Sequence, residues 1–450
     1  MIRSSAAALV ALALCTACAN RTPDGVALVG ATVIDGSDAP PRPNAVVVVR
    51  DGHIEALTGA AGFTLPKHTI QVDVRGKWII PGLVDAHAHV APWALDRYLG
   101  WGVTTVRDAH GVLDTILALR QRAGLGAIAA PRIFAAGAMI DGRPPTYTDA
   151  IAVDDPSDAR KAVDRLSVAG VDYIKVYTRI DEPLLKAIVD EAGTFGLKVA
   201  GHLGLTSATT AARAGIRSIE HMTGVPESAV PDPSALISAH YRSFWSGWTA
   251  FERSWAALDS ASLARVAAEL ASRKVALVPT LVLHETFSRL DDTAVTQRPE
   301  LRAVPQAEQV RWDVQGMLGR AGWSAVDLAG FRRSRPKQDL FVREFRRAGG
   351  MIAAGTDAAN QMLIPGWSEH EELALLVQAG LTPAEALAAA TRNGASLLGA
   401  DSLGRIAPGK VADLVVLGAD PLADIHNTRA VERVMIRGRL LAADSIRATW

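Results

Sequence analysis

Between residues 79 and 357 the chain alternates short apolar runs with stretches of helical spacing, and this alternation restricts its fold more than any other feature. Eight runs stand out, at 79–85, 103–108, 133–138, 173–177, 199–202, 218–221, 276–283 and 351–357. Short apolar runs of this kind suit strands buried on both faces. Between them, segments such as 156–169 and 182–195 carry helix spacing, with Leu184, Leu185, Ile188 and Val189 on one face. Eight buried strands alternating with helices is the arithmetic of a (β/α)8 TIM barrel, an α/β fold. Two connections, 231–273 and 285–347, exceed the usual length and carry Trp245, Trp248, Trp255, Trp312 and Trp323 among many charges. They read as helical insertions over the barrel mouth.

The two ends have a different texture. Residues 26–80 hold short β runs, among them Val26-Ala27-Leu28-Val29 and His53-Ile54-Glu55-Ala56-Leu57, separated by Asp-Gly turns. After the last apolar run, Thr382-Pro383-Ala384-Glu385 is a capping box that opens an Ala-rich helix. β character returns in 404–450, with Asp413-Leu414-Val415-Val416-Leu417 and 431–436. The two ends are expected to pair into one small domain flanking a barrel over 81–403.

Residues 1–18 read as a signal peptide. Arg3 supplies a positive start, and Ala6 to Leu14 is an apolar run too short to span a bilayer. Thr16-Ala17-Cys18 resembles the end of a bacterial lipobox, although Cys15 stands where Leu is usual. The expectation is an exported, periplasmic lipoprotein anchored to the membrane through Cys18, with simple cleavage near Ala17 or Ala19 as the alternative. Cys15 and Cys18 are the chain's two cysteines. The body therefore forms no disulfide and offers no thiolate nucleophile or ligand, and any metal is held by nitrogen and oxygen. With a formal net charge of zero and no long basic block, nucleic-acid binding has no electrostatic support. A homo-oligomer is compatible with the sequence.

Chemistry-bearing residues recur at the C-terminal ends of the proposed strands, where barrel enzymes keep their active sites. The first run leads through Pro81-Gly82 into His87 and His89, two apart and therefore on one side of an extended segment. The fourth run carries Lys175, the fifth ends in His202, the sixth in Glu220-His221, and the eighth in Gly355-Thr356-Asp357. Any one of these has an ordinary structural explanation, as a core histidine, a paired lysine or a helix cap. Four histidines, a lysine and an aspartate that one barrel mouth can gather form a metal-ligand set. Tyr177, two beyond Lys175, shares its strand face and is a candidate substrate contact, as are His110 and His284 after the second and seventh runs. Arg107 and Asp108 are expected to pair with each other, and Glu220 to face away from the metals. Ser334-Arg335-Pro336-Lys337, Gly124-Leu125-Gly126 and Glu369-His370-Glu371-Glu372 are each incomplete or misplaced as catalytic motifs.

Three stretches resemble the amidohydrolase superfamily, in particular its imidazolonepropionase-like and zinc-dependent prolidase branch. They are Pro81-Gly82-Leu83-Val84-Asp85-Ala86-His87-Ala88-His89, Gly355-Thr356-Asp357 and the tail from Gly404-Arg405-Ile406 to Asp413-Leu414-Val415. The resemblance covers about residues 26–440 and implies a distorted barrel with a composite β-sandwich built from both chain ends. It further implies two divalent metal ions, zinc above all, bridged by a carboxylated lysine. His87, His89 and Asp357 would hold the first metal, His202 and His221 the second, and carboxylated Lys175 both. A metal-bridging hydroxide would attack, with Asp357 as general acid and base. True imidazolonepropionase has no such bridging lysine, so Lys175 argues against that activity.

The expected function is a binuclear amidohydrolase acting on carbon–nitrogen bonds of small molecules, dipeptides or N-acyl amino acids. A lactonase or esterase on the same metals is the enzymatic alternative. A non-catalytic lipoprotein binding module is the other, against which the full ligand set speaks.

Overall fold

The computed structural model describes residues 25–450, so the signal peptide and Cys18 lie outside the described residues. The two chain ends meet in one eight-stranded sheet. Its order runs Arg439–Ala442, Val431–Ile436, Leu414–Leu417, Trp78–Pro81, Gly25–Val33, Arg42–Arg50, His53–Gly59, with Thr69–Asp73 also paired to Gly25–Val33. Alternation gives this sheet two apolar faces. Leu28, Val47, Val49, Ile79, Leu414 and Val416 pack into one cluster, and Ala27, Val46 and Val48 into another. Trp78–Pro81 sits between the two ends, with Ile80 opposite Val415 and Thr32 opposite Trp78. One residue later the Gly82 amide donates to the Asp413 carbonyl at 2.8 Å, and the chain enters the histidine-bearing strand Leu83–Ala88.

The middle of the chain forms two parallel sheets. One has three strands, Leu83–Ala88, Val103–Asp108 and Arg132–Ala135. The other runs Ile151–Val153, Ile140–Gly142, Ile174–Val176, Val199–Gly201, Ser218–Glu220 and Ala276–Val278. Seven of the eight apolar runs thus contain a strand, and two short strands at 140–142 and 151–153 were not foreseen. The eighth run, 351–357, forms isolated bridges in place of a ladder. Ile352 bridges Leu277, Ala358 bridges Ala88, and the Ala86 amide reaches the Ala354 carbonyl at 2.9 Å, so this segment joins the two sheets.

Helices follow the strands and bury the faces that their spacing predicts. Helix Pro156–Ala169 starts on Asp155, whose carboxylate accepts from the amides of Ser157 and Asp158, and stops at Gly170 in the left-handed region. Helix Glu182–Thr194 buries Leu184, Leu185 and Ile188, and the Thr382–Glu385 capping box is present. The long connections are helical, notably Phe244–Ser254, Ser260–Ser272, Val314–Ala321 and Ala325–Arg347. Among the described residues no helix is long and apolar enough to cross a membrane.

Candidate metal centre

The strand Leu83–Ala88 places Asp85 and His87 on one side, and His89 follows just beyond its end. Asp85 accepts from the Thr356 hydroxyl at 2.6 Å and the Thr356 amide at 3.1 Å, which pins 351–357 against this strand. The contact requires glycine at 355: a Cβ there would lie 2.9 Å from both the amide nitrogen and the Cβ of His87. Asp357 is thereby delivered to the histidines. Its Oδ1 lies 2.9 Å from His89 Nε2 and 3.2 Å from His87 Nε2.

The opposite nitrogens are held by other groups. His87 Nδ1 faces Glu220 Oε2 at 2.5 Å, and His89 Nδ1 faces the His110 carbonyl at 3.4 Å. His221 Nδ1 meets the Thr280 hydroxyl at 2.7 Å, whose own proton goes to the Pro279 carbonyl at 2.8 Å. The Thr280 oxygen therefore accepts from Nδ1–H, and His221 Nε2 keeps a free lone pair. Ligand atoms of His87, His221 and Asp357 fall within 4.8 Å of one another. The His202 and His221 ring centroids are 4.9 Å apart. All six residues expected as ligands (His87, His89, Lys175, His202, His221 and Asp357) line one pocket of about 430 Å³, together with Tyr177 and His110.

Backbone strain is concentrated here. His221, Thr280 and Asp357 have φ of 57°, 47° and 61°. A side-chain-bearing residue in this region costs about 1–3 kcal/mol and persists where its surroundings hold it.

Burial drives the electrostatics. It pushes His202 and His221 well below the ordinary imidazole range, with the charges of Lys175 and His87 adding to the effect, so both rings are neutral. Burial lowers Lys175 to about 8, with Arg107 assisting against Glu220 and Asp357. Burial would raise Asp357, but His221, His87 and His89 outweigh it and hold the carboxyl well below its usual range. The set is one carboxylate, an easily neutralised amine and four imidazoles. Burial pushes three of these (His87, His202 and His221) towards the neutral form, while Asp357 raises the value of the fourth, His89, against its burial. Orienting groups stand behind the His87, His89 and His221 rings. That donor chemistry fits borderline divalent ions such as zinc.

Three expectations are corrected. Glu220 does not face away: its carboxylate holds His87 and takes a 2.7 Å ion pair from Arg107 and a 2.6 Å bond from Ser218. Burial alone would raise its carboxyl, yet the Arg107 charge and the His87 bond keep it well below the usual value. Arg107 therefore pairs with Glu220, and Asp108 instead accepts from the Val90 amide at 2.8 Å. His284 does not line the pocket. It sits on helix Leu281–Ser288 with Nδ1 2.6 Å from Glu252 and Nε2 3.2 Å from the His221 carbonyl, behind the site. Pocket-lining residues not foreseen as contacts include Tyr147, Phe244, Arg320 and Asn360. The i, i+4 spacing of Phe244 and Trp248 was the available signal for one wall.

Comparison with known proteins agrees with this architecture. An uncharacterized protein of Mycobacterium tuberculosis is 27% identical over 401 residues, covering 81% of this chain and 85% of the relative. The imidazolonepropionase of Cereibacter sphaeroides is 34% identical over 154 residues, 33% of this chain and 38% of that enzyme. Among solved structures, bottromycin amidohydrolase superposes with a TM-score of 0.73 at 25% identity, over 95% of this chain and 89% of the other. A Xaa-Pro dipeptidase with bound methionine in its active site shares the fold, with a TM-score of 0.68 at 21% identity over 93% and 100%. The family model described as "Amidohydrolase family" matches residues 78–441, and the chain belongs to the amidohydrolase family.

Proposed function

We propose that this protein is a binuclear metal-dependent hydrolase of carbon–nitrogen bonds in dipeptides or N-acyl amino acids. The observation that carries the reading is the convergence of the His87, His221 and Asp357 donors within 4.8 Å at a 430 Å³ pocket that also holds His89, Lys175 and His202. In this reading the two parallel sheets, joined through 351–358, are arcs of one distorted (β/α)8 barrel. The sheet from both chain ends (26–80 and 404–450) is its composite β-sandwich, and a lipid on Cys18 anchors the exported enzyme in the periplasm.

His87, His89 and Asp357 would hold one divalent ion, His202 and His221 a second, and carboxylated Lys175 both. Bound there, the ions would polarise the scissile carbonyl and acidify water. The chain prepares the lysine itself. Only a neutral amine attacks CO2, giving a carbamate anion and one proton, and burial to about 8 enlarges the neutral fraction near physiological pH. Glu220 and Thr280 fix the His87 and His221 rings so that Nε2 of each presents a lone pair. Asp357, kept ionised by its histidines, takes a proton from the attacking water and passes it to the leaving nitrogen. The Tyr177 phenol is pushed well above its usual value by burial and stays a hydrogen-bond donor for a substrate oxygen.

The test is amino-acid release from pooled dipeptides and N-acyl amino acids by the zinc-loaded protein, with and without chelator. Chelator-sensitive release is expected, and Asp357→Asn should abolish it while metal stays bound. No release from protein shown to hold metal would shift the reaction to lactones or esters.

A further inference from the structure

The pocket above the six ligands has a built chemical character. Helix Phe244–Ser254 lays its aromatic face over the His202 side of the site. Phe244 lies 6.0 Å from Tyr177 with the rings 19° from parallel, and 6.2 Å from Trp248 at 26°. Phe244 and Trp248 stand 6.0 Å and 5.6 Å from His202. Trp248 and Tyr177 are buried, whereas Phe244 and Trp245 are only partly covered and line the pocket. Partly exposed rings on a concave wall are where an apolar ligand group gains most by displacing water.

A second insertion faces this wall. Helix Val314–Ala321 brings Met317 and Arg320, three residues apart and so on one face, to the same pocket. The nearest acid to Arg320 among the described residues is Asp313, at 4.0 Å with both side chains more than half exposed. Such a pair is weak in water, which leaves the guanidinium available. Once Lys175 is carboxylated, Arg320 is the remaining Lys or Arg charge among the described pocket-lining residues, apart from the ions that the six ligands would hold. A planar guanidinium beside aromatic rings suits a carboxylate joined to an apolar body.

We propose that the site selects substrates bearing a free carboxylate, gripped by Arg320, and a bulky apolar or aromatic group, laid against Phe244, Trp245 and Trp248. This rests on the hydrolase reading and narrows it. The volume of 430 Å³ is near the low end for small-molecule sites, which favours a dipeptide-sized molecule over a longer peptide.

The experiment reads binding separately from turnover. Zinc-loaded protein is titrated with phenylbutanoate, phenylbutanol and butanoate, none of which can be hydrolysed, while the fluorescence of the pocket tryptophans is followed. Phenylbutanoate should bind about tenfold or more tighter than either fragment-matched ligand. Arg320→Gln should remove the advantage over phenylbutanol and keep the advantage over butanoate, and Phe244→Ala should do the reverse. Equal affinities, absence of binding, or a carboxylate preference that survives Arg320→Gln (the acid then sitting on metal) would each overturn the proposal. Because these ligands carry no amide, ordered binding without amide turnover would overturn the reaction class and leave the selectivity standing.

Discussion

Glu220→Gln isolates the buried Arg107–Glu220 ion pair behind the candidate metal centre. Gln keeps the shape, and its one oxygen can replace Oε2, which serves both His87 Nδ1 at 2.5 Å and Arg107 at 2.7 Å. It carries no charge, however, and puts an amide nitrogen where Oε1 accepts from Ser218 at 2.6 Å. Arg107 is 3% exposed and Glu220 fully buried, so the guanidinium would be left uncompensated. Breaking a buried pair from one side costs about 3–5 kcal/mol, and the lower end applies because Arg107 keeps bonds to the Ala86 carbonyl and Ser218. Loss of the anionic orienter of His87 should also weaken metal binding by about 10- to 100-fold. The two effects are read separately, by urea denaturation of metal-free protein and by zinc competition against a chelating dye. The folded-state value of Glu220 lies below its ordinary 4.5, so its stabilisation is complete above that pH and is lost as pH falls towards the depressed value. The stability gap between wild type and Glu220→Gln should therefore be largest near neutrality and shrink below pH 4.5. A constant gap across that range, or unchanged zinc affinity, would refute the role given to Glu220.

Other outcomes follow from the same geometry. In metal-free protein supplied with labelled bicarbonate, the Lys175 carbamate signal should grow as pH rises towards and through about 8, because the protonated amine refuses CO2; a flat profile would count against carboxylation. Gly355→Ala places a Cβ 2.6 Å from a Val278 methyl and 2.9 Å from the His87 backbone, so stability should fall by about 1–3 kcal/mol, as read by denaturation, with zinc affinity falling alongside. Thr280→Val removes the acceptor of His221 Nδ1, and zinc competition should show about tenfold weaker binding. Unchanged affinity there would mean that the ring needs no such anchor.

The convergence of the six residues on one pocket was legible because they sit at the ends of apolar runs, where position along a strand implies position in space. What the sequence concealed lies where the backbone leaves the strand. Glu220 was expected to face opposite its neighbour His221, as alternation requires. Strand Ser218–Glu220 stops there, and His221 at φ 57° turns its ring back, so both side chains reach the interior. His284 was misplaced for a related reason. The run 276–283 reads as one strand, yet the strand ends at Val278 and Thr280 at φ 47° starts helix Leu281–Ser288. Apolar spacing alone does not separate a buried strand from a buried helical turn. Arg320 and Phe244 escaped notice because their place over the pocket depends on how two insertions fold across the chain, and no local pattern encodes that.

The placement of strand Trp78–Pro81 has a consequence for how the enzyme comes into being. Its partner Leu414–Leu417 is more than three hundred positions away, and the Gly82 amide that starts the histidine strand is tied to Asp413. A chain emerging from its N-terminus makes His87 and His89 early, but the strand that aims them lacks one flank until nearly the whole chain is present. Pairings this distant in sequence carry a large loop-closure cost and form late. On the proposed metal-dependent reading, metal capture would therefore be a terminal event of folding. In pulse-labelled refolding, protection of the Trp78–Pro81 amides should appear together with zinc uptake, after the parallel strands have become protected.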